Sequence, residues 1–78
     1  MVSDEEFEMI HSMVSREVLK AHESNAKSVV IGEDDEIGEM IFSHTVQEID
    51  AIVRRFNLEV GYFIDRVWNG GEWLIFHL

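Results

Sequence analysis

An amphipathic pattern at helical spacing near the start of the chain constrains its fold more than any other feature. Five apolar residues recur there at three- and four-residue steps, which places them on one face of a helix. They are Phe7, Ile10, Val14, Val18 and Ala21. Ser3 and Glu6 match a capping box, in which the serine hydroxyl accepts from the Glu6 amide, so the helix should begin directly after Ser3. We predict a helix over residues 4–24.

A second capping box predicts another helix in the middle of the chain. Thr45 and Glu48 have the required spacing, and a helix over residues 46–56 would follow them. Its inward positions would be Ile49, Ile52, Val53 and Phe56. On the outer face Asp50 and Arg54 lie four residues apart, a spacing at which opposite charges attract each other.

The C-terminal part of the sequence predicts a β-hairpin. Residues 58–68 and 72–78 are rich in β-branched and aromatic residues, and Asn69-Gly70-Gly71 separates them. Glycine supplies the positive φ that a tight hairpin needs. A three-residue loop sets Trp68 opposite Glu72.

Residues 28–42 admit two interpretations. Ser28 to Ile31 is a short β-branched segment ended by Gly32, and Glu33 to Glu36 place four like charges in a turn that only water can screen. Residues 37–42 could belong to a helix, but a strand paired with residues 28–31 is our preferred prediction. The fold class is then α+β in the order α-β-β-α-β-β, with two helices and a small, mainly antiparallel four-stranded sheet.

The alternation of side chains in the predicted hairpin gives it two apolar faces. One face would meet the helices and carry Val60, Tyr62, Ile64, Leu74, Phe76 and Leu78. The other would carry Phe63, Val67, Trp73 and Ile75 beside Glu59, Asp65 and His77. This second face is too apolar for full exposure to water. The first helix, a second copy of the chain or a different protein could cover it, and the sequence does not choose among them.

Composition narrows the class of protein. A chain of 78 residues is sufficient for one domain, here residues 1–78, and its 46% apolar content is too high for a disordered segment. Sixteen acidic residues against six basic ones give a formal net charge of −10, which argues against direct binding to nucleic acid or anionic membranes. The chain has no Cys, and no apolar segment of membrane-spanning length. We expect a cytoplasmic protein, in the producing or a host cell.

The candidates for chemistry are weak. Asp4, Glu8, His11 and His22 on the first helix resemble metal-ligand spacing, but the second helix offers no matching pair. The consecutive acids after Gly32 do not alternate as the ligands of a calcium loop do. Ser43, His44 and Thr45 are adjacent in sequence, which is not the geometry of a nucleophile and its base, and Arg54, Arg55 and Arg66 are expected to pair with neighbouring acids. We therefore predict no enzyme, cofactor or metal site, and keep a small metal-dependent enzyme as an alternative.

These observations favour a small acidic module that binds another protein. The predicted contact residues are Glu33, Asp34, Asp35, Glu36, Glu39, Phe63, Trp68, Trp73 and Ile75. In one variant the carboxylates occupy the basic groove of a nucleic-acid-binding protein as a DNA mimic. Small inhibitors from bacterial viruses are similar in general style, although no motif links this chain to them. In the other variant the apolar sheet face forms a homodimer with a regulatory or structural role.

Overall fold

The computed structural model describes residues 1–78 as three α-helices and one three-stranded antiparallel sheet. The helices are α1 (Asp4–Glu23), α2 (Glu36–Phe42) and α3 (Val46–Arg55), and a π-helical turn, Phe56–Val60, extends α3. The strands are β1 (Ser28–Gly32), β2 (Phe63–Trp68) and β3 (Glu72–His77). The fold class remains α+β, but the predicted two helices and four-stranded sheet are wrong.

Local signals for α1 and α3 are confirmed. The Ser3 hydroxyl accepts from the Glu6 amide at 3.1 Å, and all five predicted apolar positions of α1 are buried. Thr45 and Glu48 form the complete capping box at the start of α3. Of the predicted inward residues of this helix, Ile49 and Ile52 are buried and Val53 packs against the core.

Residues 37–42 form a helix and not the predicted strand, because only a helix sorts their side chains correctly. In a strand, Glu39 would lie on the same face as Ile37 and Ile41 and would be drawn into the core with them. In α2, Ile37, Gly38 and Ile41 are buried while Glu39 stays exposed. Consequently β1 pairs with β3, and β3 is the central strand in the order β1-β3-β2.

The predicted strand over residues 58–68 is wrong in its first part. The Gly61 amide donates to the Phe56 carbonyl at 2.9 Å, so the chain continues beyond α3 in a wider helical turn. Gly61 then reverses the chain with a φ of 91°, a left-handed conformation open to glycine. Glu59 is therefore not on the sheet and pairs with Arg55 instead. The hairpin itself is confirmed, with Trp68 opposite Glu72.

All three helices pack against the same side of the sheet. The core joins α1, α2, α3 and Phe56 to Ile31, Leu74 and Phe76 from the inner face of the sheet. Phe56 contacts Phe7 and Phe76 with ring centroids 4.8 and 5.5 Å away. No helix covers the opposite side of the sheet. None of the helices combines the length and apolar character that crossing a bilayer requires.

Candidate functional site

The uncovered side of the sheet, called here the open face, is the most distinctive surface of the protein. Alternation along the three strands places on it Val30, Phe63, Asp65, Val67, Trp73, Ile75 and His77. Phe63 is 63% exposed, Val30 52%, and Val67 and Trp73 38% each. Contiguous apolar residues on a folded surface mark sites of interaction more often than scattered ones do.

Trp73 shapes one end of the open face. A Cβ atom on Gly32 would lie 2.6 Å from the Trp73 ring, so the glycine lets the indole lie directly against β1. The indole nitrogen donates to the Asn69 carbonyl at 3.0 Å, which fixes the ring orientation. Beside it lies a shallow depression of about 290 Å³, lined by Val30, Val67, Asn69, Trp73 and Ile75. This end of the face is therefore apolar and preformed.

The other end of the open face is polar at its border. The Phe63 and His77 rings lie 5.7 Å apart across β2 and β3. His77 Nε2 lies 2.8 Å from an Asp65 carboxylate oxygen. An apolar centre with a polar border is the usual composition of a protein–protein contact.

The acidic turn, defined as Glu33 to Glu36 together with Glu39, adjoins the Trp73 end of the open face. Glu33 accepts from the Glu72 amide at 3.1 Å, and Asp35 accepts from the Gly32 amide at 2.8 Å. None of its five carboxylates forms an ion pair with a basic group. The turn is thus held in place by backbone contacts while its charge remains unneutralised.

The structure brings most of the predicted contact residues together. Phe63, Trp73 and Ile75 share the open face, and the acidic turn lies at its border. Trp68 does not belong to this group, because its side chain alternates to the other side of β2 at the hairpin tip, where it is 73% exposed. Val30 was not predicted. The sequence shows that Val30 alternates with Ile31. Its position beside Ile75 was not predicted, because β1 was expected to pair with residues 37–42 and not with β3.

The histidines and acids of α1 do not converge. His11 packs against the rings of Phe7 and Phe56, with centroids 6.0 and 5.8 Å away. Asp4 binds the Arg55 guanidinium at 3.0 Å, and Glu8 is exposed. No group of three His, Cys, Asp or Glu side chains lies close enough to hold a metal ion.

The remaining polar candidates have structural partners. The Ser43 hydroxyl donates to the Met40 carbonyl, while His44 lies 3.1 Å from Glu6. Arg66 pairs with Asp50 and Glu72, as predicted. Arg54 is the exception: it forms no ion pair, and the predicted pair of Asp50 with Arg54 is wrong because Asp50 binds Arg66 instead. Arg55 lies between Glu59 and Asp4, whose carboxylates raise the pKa of its guanidinium. Arg55 and Arg66 are thus each committed to separate ion pairs.

Glu48 is the one carboxyl group with a strongly shifted pKa. Its side chain accepts from the Met1 ammonium group at 2.7 Å and from the Thr45 amide at 3.0 Å. These hydrogen bonds, with that of the Thr45 hydroxyl, lower the pKa of Glu48 from 4.5 to about 2. Glu48 stabilises the start of α3 in its ionised form and lies away from the open face.

Comparison with known protein families, curated proteins and solved structures finds no match to this chain.

Proposed function

We propose that this protein is a small binding module that docks the open face of its sheet against an apolar surface of another protein. The observation that carries the proposal is the position of all three helices on one side of the sheet, which leaves Val30, Phe63, Val67 and Trp73 exposed on the other. Burying such side chains contributes a free energy of about 25 cal/mol for each Å² of apolar area removed from water. A partner surface of matching shape would gain that free energy on binding.

The negative charge of the protein favours a basic partner over a second copy of the chain. The net charge of −10 and the unpaired acidic turn at the border of the open face oppose the approach of a second copy. The same charges attract a protein with basic residues around an apolar centre and increase its rate of association. We therefore favour a heterologous partner over a homodimer, with binding in the cytoplasm of the producing or host cell.

A more specific candidate is inhibition of a nucleic-acid-binding protein. Five carboxylates of the acidic turn have no basic partner, and such a group could occupy the phosphate positions of a basic groove as a DNA mimic. Adding competing DNA should then release the partner, and binding should weaken steeply with salt. An apolar interface without mimicry would respond weakly to both.

The test compares variants of the two faces of β2. The double variant Phe63→Thr with Val67→Thr removes two exposed apolar side chains from the open face and places a β-branched residue at each site, so the sheet should still form. Trp68→Thr is the matched control, because it removes an exposed aromatic from the other side of the same strand. Each protein is immobilised, and partners captured from the native cell or its host are quantified by mass spectrometry.

We expect the double variant to bind a captured partner at least about tenfold more weakly than the wild type, because exposed aromatic and aliphatic anchors dominate such contacts. Trp68→Thr should bind as the wild type does. Equal capture by all three proteins would contradict docking through the open face. Light scattering measures whether the protein forms a dimer. If the wild type is a dimer and the double variant is a monomer, the open face pairs with a second copy.

A further inference from the structure

A groove separates α1 from the edge of the sheet, on the opposite side of β1 from β3. It encloses about 570 Å³. Its helical wall is one face of α1, formed by Met13, Arg16, Glu17, Lys20 and Ala21, together with Ser24 directly after the helix. Residues 13 to 24 of a helix span about 16 Å, which is the length of about five residues in an extended chain. The groove therefore has the dimensions of a short β-strand.

The second wall is the edge of β1 and not one of its faces. Val29, Val30 and Ile31 are consecutive, and all three line the groove. Consecutive side chains of a strand point to opposite faces, so a cavity that reaches all three must run along the backbone. Buried Ile37 closes the groove at the α2 end.

The backbone of β1 presents unpaired groups to this groove. The Leu78 amide donates to the Lys27 carbonyl, and the Glu33 amide donates to the Glu72 carbonyl, so the odd-numbered residues of β1 face β3. Alternation in an antiparallel pair then turns the amide and carbonyl groups of Ser28, Val30 and Gly32 away from the sheet. Asp35 pairs with both backbone groups of Gly32, since its carboxylate accepts from the Gly32 amide and its amide donates to the Gly32 carbonyl. The amides and carbonyls of Ser28 and Val30 remain without a partner in the protein.

The groove is lined by two basic residues, Arg16 and Lys20, and by three acidic ones, Glu17, Asp35 and Glu36. The basic residues lie on the α1 wall with Glu17, whereas Asp35 and Glu36 lie at the α2 end. Arg16 forms no ion pair, and Lys20 reaches only Glu17, at 3.4 Å between exposed groups. These are two of the six basic residues in a chain with sixteen acidic ones. A carboxylate entering beside α1 would meet both.

We infer that this groove binds an extended segment of another protein, which adds to β1 as a fourth strand. The amides of Ser28 and Val30 donate to carbonyls of the segment, and their carbonyls accept from its amides. Alternate side chains of the segment point toward α1. Among these, a carboxylate meets Arg16 and Lys20, while an apolar side chain two residues away packs against the apolar lining of the groove.

The opposite edge of the sheet shows why the groove matters. By the same alternation, β2 turns the backbone groups of Ile64, Arg66 and Trp68 outward. None of the residues that line the groove belongs to β2. Strand addition at β2 would therefore lack the side-chain contacts of the groove and depend mainly on backbone hydrogen bonds, whose net contribution in water is small. This edge is therefore the internal control for β1.

The probe is the blocked peptide acetyl-Gly-Thr-Glu-Thr-Val-Thr-Gly-amide, which places Glu and Val two residues apart on one face. A control peptide of the same sequence carries N-methyl groups on its threonines, which removes amides needed for strand pairing and keeps the side chains. Binding to the full chain is followed by ¹⁵N-edited NMR and by amide hydrogen exchange.

The first peptide should shift the Ser28 and Val30 amide signals and slow their exchange, while those of Ile64, Arg66 and Trp68 stay unchanged. We expect the N-methylated peptide to bind at least about tenfold more weakly, since it loses several hydrogen bonds. Arg16→Glu should weaken binding of the first peptide by about two- to fivefold. Arg54→Glu, an exposed arginine of α3 without an ion pair, is the matched control and should leave binding unchanged.

Three outcomes would overturn the inference: no shift at about 1 mM peptide, shifts confined to β2 or to open-face side chains, or equal binding of the two peptides. The double variant Phe63→Thr with Val67→Thr changes β2 only and leaves every residue of the groove in place, so it should bind the peptide as the wild type does. The groove and the open face are thus tested separately, and either can fail alone.

Discussion

Gly38 fixes how closely α2 approaches the sheet. A Cβ atom on this residue would lie 1.7 Å from the Gly32 carbonyl oxygen and 2.7 Å from its carbonyl carbon. Both atoms belong to the backbone, so they cannot move as the end of a flexible side chain would. The contact holds the acidic turn against the end of β1, and it exists only because residue 38 lacks a side chain.

We predict that Gly38→Ala lowers the free energy of unfolding by about 3 kcal/mol, because a clash between two backbone segments forces α2 away from β1. Urea unfolding followed by circular dichroism measures the change. Glu39→Ala, at the exposed neighbouring position, should alter stability by less than about 0.5 kcal/mol. Equal stabilities for the two variants would show that α2 does not pack as described.

The ionised form of Glu48 makes stability depend on pH. Its pKa is about 2 in the folded protein against 4.5 for the free group. The folded state therefore binds the proton less tightly than the unfolded state, so this stabilisation is complete above pH 4.5 and is lost as the pH falls toward 2. We predict that Glu48→Gln destabilises the protein at pH 6 and that the difference from the wild type shrinks by pH 3. Urea unfolding at both pH values measures it, with Glu8→Gln as an exposed control. A difference that stays constant would contradict the assignment.

Among the elements, the ones with strong local signals were predictable. Helix α1 has five apolar residues in register and a cap, and the glycines after Asn69 determine the hairpin. Helix α2 has only seven residues, too few for its sequence to stabilise a helix in isolation. Its state is decided by burial of Ile37 and Ile41 against α1 and β1, which no local pattern shows. The π-helical turn was not predicted either, because Leu58 and Val60 favour a strand by local propensity. The hydrogen bond from the Gly61 amide to the Phe56 carbonyl holds them in a helical turn instead.

The burial of α2 can be tested at its most enclosed residue. Ile41 is 0% exposed, whereas Val46, at the start of α3, is 60% exposed. We predict that Ile41→Ala lowers the midpoint of thermal unfolding by about 10 °C or more, because a core truncation costs about 2–5 kcal/mol. Val46→Ala should change it by no more than a few degrees. Similar midpoints for both variants would mean that α2 is not part of the core.

The candidate site was predictable only in part for the same reason. Alternation within the hairpin correctly placed Phe63, Trp73 and Ile75 on one face. Whether anything covered that face depended on where the helices pack, which is a property of the whole chain. The groove beside β1 was missed because β1 was assigned to a different neighbour and its free edge was not recognised.

At the scale of the whole molecule, charge repulsion opposes folding. Eight of the 16 carboxylates form no ion pair. They are Glu5, Glu8, Glu23, Glu33, Asp34, Asp35, Glu36 and Glu39. The ion pairs that do form are mostly exposed, and such pairs contribute little. Screening by added salt should therefore weaken the repulsion among the unpaired carboxylates more than it weakens the attraction within the ion pairs.

We predict that the midpoint of thermal unfolding rises when NaCl is increased from about 10 to 300 mM, over which the screening length falls several-fold. The triple variant Asp34→Asn, Glu36→Gln and Glu39→Gln should be more stable than the wild type at low salt and less sensitive to added salt. Asp35 is retained because it bonds the Gly32 amide. A midpoint that falls with salt would indicate that attraction dominates.

The two tryptophans occupy contrasting surroundings, and this gives the protein an intrinsic optical reporter. Trp73 lies against Gly32 with its indole nitrogen bonded to Asn69, whereas Trp68 projects from the hairpin tip. With Trp68 replaced by Phe, the emission spectrum and iodide quenching of the remaining indole report on the open face alone. A blue shift and slower quenching when another molecule is added would locate its contact without any attached dye.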